Sequence, residues 1–478
     1  MSLTFQQRLN QAQLTRPMWL LWLLSAGLIA LDGFDFFIIG VALPLIEKDF
    51  GINASQTGAL AVAAIAGSLL GSLTLGAITD KIGRQLMLII DIGIFLVASL
   101  GTALAWNITS LIAFRFLVGI AIGADYPISV AYITENVPER LRGKMVISAF
   151  SFQAVGALLG ALVGIAVIWS FGKIYPNPEP LLHYGWRWML GVGLLLAILV
   201  AILRFQFLLE SPSYYITRGE YGQASQAASI LLNESIEITP ESDPIETKSP
   251  LNYSALFSAD YRRQTLLVTI PWFLQDIATY GIGIFTPVII TVLAFAEQTD
   301  LSTQTINGAI GSAFVDLFLI LGFILAIAFV DILGRIPLQI IGFLGMALGL
   351  AILAIASLSA TVNIWLVFTG FIIFNLLMNA GPNSTTFLLS GEVFPTAIRA
   401  SGAGLAAAIA KAGAILGTYT IPVLKESLGV SNLLLILSVI CILAAVLTYL
   451  FAHPELGIAL RTRQEARDAR ERGVERGE

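Results

Sequence analysis

The sequence predicts an all-α membrane protein of twelve transmembrane helices, arranged as two pseudo-symmetric six-helix halves. Three observations carry that expectation. Of the 478 residues, 57% are hydrophobic and only 12% charged, roughly half the charge of a soluble chain of this size. The apolar residues fall into twelve blocks, each long enough to cross a hydrocarbon core that takes about 20 helical residues. Two spaced motifs in the first half recur in the same order in the second. This composition excludes a soluble multidomain enzyme, a disordered chain and a nucleic-acid binder. An outer-membrane barrel would need alternating segments of about ten residues. One cysteine, and two histidines (His183 and His453) far apart in the chain, give no reason to expect a disulfide framework, a metal or a cofactor.

Block one, 18–46, holds Asp32 and Asp35 and is too long for the h-region of a cleavable leader. Block two, 55–78, ends at Asp80-Lys-Ile-Gly83-Arg84. Block three, 85–105, carries Asp91. Block four, 108–135, carries Arg115, Asp125 and Tyr126, and ends at Glu135-x-x-Pro138-x-x-x-Arg142. Blocks five (143–170, with Gln153) and six (186–208) complete an N-terminal half, 1–208. The polar, proline-containing stretch 209–262 reads as a cytoplasmic linker with one surface helix near 219–232. Block seven, 263–294, carries Trp272, Asp276 and Tyr280. Block eight, 305–330, carries Asp316 and ends at Asp331-Ile-Leu-Gly334-Arg335. Block nine is 336–357. Block ten, 361–391, carries Asn383 and ends at Glu392-x-x-Pro395-x-x-x-Arg399. Blocks eleven (396–424, with Lys411) and twelve (431–452) complete the C-terminal half, 263–455. A charged tail, 456–478, follows.

The paired D-x-x-G-R and E-x-x-P-x-x-x-R motifs, recurring at a nearly constant offset, imply a parallel repeat about an axis along the membrane normal, with a site between the halves. With both termini placed inside, twenty of the 26 lysines and arginines fall in cytoplasmic segments, Arg204 among them. Four fall outside, and Arg115 and Lys411 lie within spans. That asymmetry is the positive-inside bias. The motif residues Asp80, Arg84, Glu135, Arg142, Asp331, Arg335, Glu392 and Arg399 are candidates for a cytoplasmic gate. Wet ion pairs of about 0–1 kcal/mol each suit a latch that must open.

Ionisable residues inside spans are costly and usually functional. Counting about 1.5 Å per residue from the inner helix ends places Asp276 roughly 20 Å deep, Lys411 roughly 18 Å and Gln153 roughly 17 Å. The same count puts Tyr126, Asn383 and Trp272 at roughly 14 Å. Five spans thus bring polar groups near the midplane. Trp272, Asp276 and Tyr280, spaced i, i+4 and i+8, share one helix face. A deep lysine favours an anion, and a carboxylate at the same depth repels one that is fully deprotonated. Dihydrogen phosphate meets both demands: its oxygens accept from Lys411, Gln153, Asn383, Trp272 and the tyrosines, and its hydroxyls donate to Asp276. Sulfate lacks the proton, and a sugar leaves Lys411 without a purpose. The acids Asp32, Asp35, Asp91 and Asp125, together with Asp276, suggest a proton relay, with Arg115 high in span four and paired to Asp32 or Asp35. Asp316 is left open between a polar crevice and a structural role.

The D-x-x-G-R loops, twelve spans and paired halves resemble the major facilitator superfamily over nearly the whole chain. Arg115-Phe-Leu-Val-Gly119-Ile-Ala-Ile-Gly123-Ala-Asp125-Tyr126-Pro127 resembles the span-four signature of the phosphate:proton symporters. Gly381-Pro382-Asn383-Ser-Thr385-Thr386-Phe387 resembles their span ten, Trp272-Phe-Leu-Gln-Asp276-Ile-Ala-Thr-Tyr280 their span seven, and Ala410-Lys411-Ala412-Gly413-Ala414 their span eleven. The resemblance implies proton-coupled uptake of inorganic phosphate by alternating access, not enzymatic chemistry. It implies phosphate contact by Tyr126, Gln153, Trp272, Asp276, Tyr280, Asn383 and Lys411, and proton movement through Asp32, Asp91, Arg115 and Asp125, with Asp35 kept beside Asp32. The expected partners are phosphate, the proton and the lipid bilayer of a plasma membrane, with a monomer sufficient. The alternatives are a proton-coupled symporter of an organic anion or sugar, and a nutrient receptor that uses the same fold.

Overall fold

The computed structural model describes residues 3–82, 84–207, 209–243, 253–295, 300–358, 363–394 and 396–452. The side chains of 76–82, 84, 126, 127, 130, 131, 253, 396, 397 and 399–401 lie outside that description. So do the charged tail and His453.

The described chain is helical throughout its apolar blocks. The helices are α1, Arg16–Phe50; α2, Ala54–Ile82; α3, Arg84–Ala103; and α4, Ile108–Asn136. Next comes α5, Glu139–Ile174, in two pieces that meet at Ser151. It is followed by α6, Leu181–Phe207, which opens with a wide π turn. The second half has α7, Arg262–Ala294; α8, Leu301–Leu333; α9, Arg335–Leu358; and α10, Ile364–Glu392. The run Thr396–Phe451 contains both α11 (396–428) and α12 (430–451), divided at Gly429. Among the described residues eleven apolar runs can cross a membrane, and the last of them contains two helices, which makes twelve.

Polar residues ahead of apolar runs set several starts. Thr15 accepts from the Met18 N–H, Asn107 from Ser110, Asp300 from Thr303 and Asn363 from Trp365. Each supplies an acceptor to an otherwise orphaned helix donor. Gly429 has φ 78° and ψ 164°, a conformation open essentially to glycine alone, so α11 turns into α12 at one residue. Gly334, at φ 86° and ψ 159°, makes the same sharp change between α8 and α9. The glycine of the second D-x-x-G-R motif is thus a backbone requirement. The bend expected near Gly381-Pro382 is present: α10 stops at Ala380 and restarts at Pro382. The Ser384, Thr385 and Thr386 hydroxyls donate to the Asn379, Gly381 and Pro382 carbonyls around the break, which satisfies backbone that lipid could not.

The repeat read from the motifs is visible in the packing. In the first half α1 packs on α5, α2 on α4, and α3 on α4 and α6. In the second, α7 packs on α11, α8 on α10, and α9 on α10 and α12. Small residues permit these approaches. A Cβ on Gly119 would stand 1.9 Å from the Ala64 carbonyl oxygen, and one on Gly413 2.2 Å from that of Phe273. The halves meet where α1 packs on α7, α2 on α11 and α5 on α8. The linker contributes the helices Pro212–Thr217 and Tyr221–Leu232. The second matches the expected surface helix. Its Ala224, Ala228 and Leu231 share an apolar cluster with Phe5 and Leu9 of the short helix Phe5–Gln11.

Candidate functional site

Three helices build the centre of the molecule. Pro271 and Pro287 flank the middle of α7, and between them Trp272, Asp276 and Tyr280 rise along one face. Gly413 and Gly417 bring α11 onto the backbone of α7 at Phe273 and Ile277. This contact delivers Lys411, whose Nζ donates to the Tyr280 hydroxyl at 2.7 Å. The same ammonium stands 4.5 Å from the Tyr280 ring centroid and 5.9 Å from that of Phe36, on α1 in the other half. Phe36 meets Tyr280 edge to face. Asp276 is buried beside Trp272 and within electrostatic reach of Lys411. Asp32, one turn before Phe36 on the same face of α1, is wholly buried. The lysine and aspartate on which the sequence reading turned therefore share one interior region, walled on one side by the opposite half.

Contacts between the halves bound this region at both ends. Toward the loop-motif face, Phe387 of α10 packs against Phe150 of α5 at 4.5 Å between centroids and against Trp272 at 6.0 Å. Toward the other face, a Cβ on Gly40 would fall 1.8 Å from the Ile284 carbonyl oxygen, and Ser55 shares a hydrogen bond with Tyr419 at 3.1 Å.

Asn383 stands in an amide network. It accepts from Gln275 Nε2 at 2.9 Å and donates to Asn379 Oδ1 at 2.7 Å, while Thr386 donates to Gln275 Oε1 at 3.0 Å. Sequence reasoning named Asn383 but missed Gln275, Asn379 and Thr386. The available signals were adjacency to Asp276 and the four-residue spacing from Asn379 to Asn383. Gln153 is half-buried on α5, where its backbone carbonyl abuts Gly33 of α1. The Tyr126 side chain lies outside the described residues.

The N-terminal half holds two charged groups. Arg115, fully buried, donates to the Asp35 carboxylate at 2.7 Å and to the Asp35 carbonyl at 3.0 Å. Asp35 is thus the partner that Arg115 was expected to find on α1, and the structure sets Asp35 apart from Asp32. The second group is Asp32, Asp91 and Asp125, on α1, α3 and α4, all at 0% exposure. None of their carboxyl oxygens accepts a hydrogen bond from a described donor. Arg204 on α6 joins them: its Nη1 donates to the Leu88 carbonyl at 3.1 Å, and its Nη2 lies 3.7 Å from Asp125. This corrects the placement of Arg204 among loop cations. It is buried inside the helix bundle, where its guanidinium meets the Leu88 carbonyl and the Asp125 carboxyl instead of water. Asp316 on α8 is buried, and among the described residues its carboxyl bonds only to Ser312, at 3.3 Å.

The two loop motifs of the second half converge. Arg335 bonds Glu392 through Nε at 3.1 Å and Nη2 at 3.2 Å, and Asp331 through Nη1 at 3.1 Å. In the first half Arg142 donates to the Val137 carbonyl, and Glu135 is half-buried. The side chains of Asp80, Arg84 and Arg399 lie outside the described residues.

Comparison with known proteins agrees with this architecture. The family described as sugar (and other) transporter matches residues 22–462. YaaU of Escherichia coli (strain K12), which bears a metabolite transport name, is 31% identical over 441 residues, 92% of this chain and 93% of its own. Inorganic phosphate transporter 1-1 of Arabidopsis thaliana is 27% identical, over 89% of this chain and 90% of its own. The xylose transporter XylE from E. coli, in a partially occluded inward-open conformation, superposes with a TM-score of 0.74 at 22% identity, covering 92% of this chain and 98% of that one. This chain is an integral membrane transporter with the major facilitator fold, and it belongs to the sugar (and other) transporter family.

Proposed function

We propose that this transporter carries inorganic phosphate, as dihydrogen phosphate, inward together with protons by alternating access. The observation that carries the reading is Lys411 seated on Tyr280 beside Asp276, with Phe36 facing them from the other half. A cation favours an oxyanion, a neighbouring carboxylate favours one that still has hydroxyls to donate, and the tyrosine and indole supply further donors. Tyr126, Gln153 and Asn383 complete the proposed phosphate contacts. Asp32, Asp91 and Asp125 form the proton route, with Arg115 and Asp35 as a fixed pair at its side. Contacts between the halves on both sides of the region suit a site that opens to one face at a time. In this reading both termini and the loop motifs are cytoplasmic, the bilayer is a plasma membrane, and Arg335–Glu392 is one strand of the inner latch. The resemblance to plant phosphate transporters over most of the chain supports the same substrate.

The test is flux into proteoliposomes. Labelled phosphate should accumulate when the outside is acidified and resist competition by sulfate. Absence of phosphate flux at every imposed pH gradient sinks the reading. The Gln275–Asn383–Asn379 amide network favours one alternative, a small hydroxylated organic anion or sugar. In that case organic acids or xylose should compete and be carried themselves.

A further inference from the structure

Asp91 and Asp125 are wholly buried on adjacent helices, α3 and α4, with no described donor at any of their carboxyl oxygens. Two ionised carboxylates without donors in a dry interior are each costly and repel one another, so the pair is tolerated there only when one of them carries a proton. Among the described residues, the groups facing this pair, helix by helix, are few. They are Asp32 from α1, with Lys411 of α11 acting on Asp32, and Arg204 from α6. Asp35, one turn along α1, is already engaged by Arg115. Arg204 is therefore the cation that answers the pair directly, at 3.7 Å from Asp125 and 2% exposure. Burying three like charges and one opposite charge leaves a net charge that a low-dielectric interior does not tolerate, whereas Asp32 as a carboxylic acid, one proton on the Asp91–Asp125 pair and one guanidinium are balanced.

We infer that Arg204 is the positioning residue of the proton-coupling step, the fixed counter-charge that keeps the Asp91–Asp125 pair at one shared proton. Its placement also ties that proton to the loop after α6. The guanidinium holds the Leu88 carbonyl of α3. Five residues on, the Leu209 carbonyl accepts from the Tyr132 hydroxyl of α4. Glu210 accepts from the Gln85 N–H at the start of α3 at 2.9 Å. A change in the charge of the pair thus acts on Arg204, and through α6 on the contacts that tie the loop after it to α3 and α4. The inference rests on the proton-coupled reading but not on phosphate as the cargo.

The experiment needs no substrate. Infrared pH titration of the purified, reconstituted protein counts protonated buried carboxyls, with Asp91→Asn and Asp125→Asn assigning the bands. Arg204→Gln should hold one more protonated carboxyl than the wild type at neutral pH, with its titration displaced. Arg204→Lys should restore the wild-type count. An unchanged count and titration in Arg204→Gln overturns the inference, and so does a gain that Arg204→Lys fails to reverse. If Arg204→Gln does not fold, Asp125→Asn with Arg204→Gln removes both charges and should fold. Failure of that double variant to fold would mean that Arg204 is needed for packing alone, which also overturns the inference. Loss of phosphate flux in the wild type would defeat the cargo assignment and leave this count untouched.

Discussion

Lys411 reaches the centre of the molecule only because its helix carries glycine at 413 and 417, and it stays there because Tyr280 accepts its proton-bearing nitrogen. Lys411→Ala should abolish phosphate binding to the purified protein. Tyr280→Phe keeps the cation but loses one hydrogen bond worth about 1 kcal/mol, and should weaken binding about fivefold. Equilibrium binding of labelled phosphate checks both, and wild-type binding by Lys411→Ala would remove the anion site. Asp276→Asn should abolish uphill accumulation driven by a pH gradient while sparing exchange of phosphate at equal concentrations. Continued uphill accumulation in that variant excludes a proton role for Asp276. At this scale the sequence was legible where type and depth coincide, as for Asp276 and Lys411. Legibility failed for groups whose meaning depends on direction. Asp32 and Asp35 are three residues apart and look like a unit. On a helix they point about 60° apart, and one reaches Arg115 while the other does not. A lone arginine at the end of an apolar block reads as a loop cation, so Arg204 gave no sign of turning inward. The Gln275–Asn383 contact joins residues 108 apart, and no local periodicity encodes it.

The helices owe their limits to a few backbone positions, and these make separate predictions. Gly429→Ala and Gly334→Ala force a side chain into a region open to glycine, and should each cost about 1–3 kcal/mol in unfolding experiments in detergent. Gly404→Ala, in mid-helix with nothing within 4 Å, should be neutral or slightly stabilising. Equal behaviour of the three would mean that the turns are not fixed by φ. Asp300→Ala removes the cap of α8 and should cost about 1 kcal/mol, read by hydrogen exchange of its first turn. The Thr303 hydroxyl and backbone N–H hold the Asp300 carboxyl below the usual carboxylate range. A lowered folded value stabilises above the unfolded value of about 3.9 and loses that contribution as the pH falls through the folded one. The cap should therefore be complete at neutral pH and release only in strong acid. Length and hydropathy made these helices visible in the sequence, and proline announced the break in α10. Nothing in the sequence announced the division of α5 at Ser151, since no proline or glycine stands at the joint.

For the whole molecule, the recurrence of two motifs correctly foretold a recurrence of packing, since the same helix pairs meet in each half. What the motifs could not foretell is how the halves lean on each other, because that depends on which conformation is most stable. Close backbone contact at Gly40–Ile284 joins them on the face away from the motif loops. Gly40→Leu should wedge that face open and raise labelling of a cysteine placed at Thr57. Unchanged labelling would mean that the contact does not close the route. Arg335→Gln should act the opposite way, loosening the loop-motif face by removing a partly buried, bidentate pair. An unaltered accessibility on that face removes Arg335–Glu392 from the latch.

The one-residue joint at Gly429 has a mechanical corollary. A connector without slack cannot absorb rotation, so any tilt of the helix bearing Lys411 is copied by its neighbour α12 and, through Ser438 and Thr448, by α9. Splicing a flexible spacer into that joint should decouple the pair, leaving a protein that still captures its cargo yet turns over slowly.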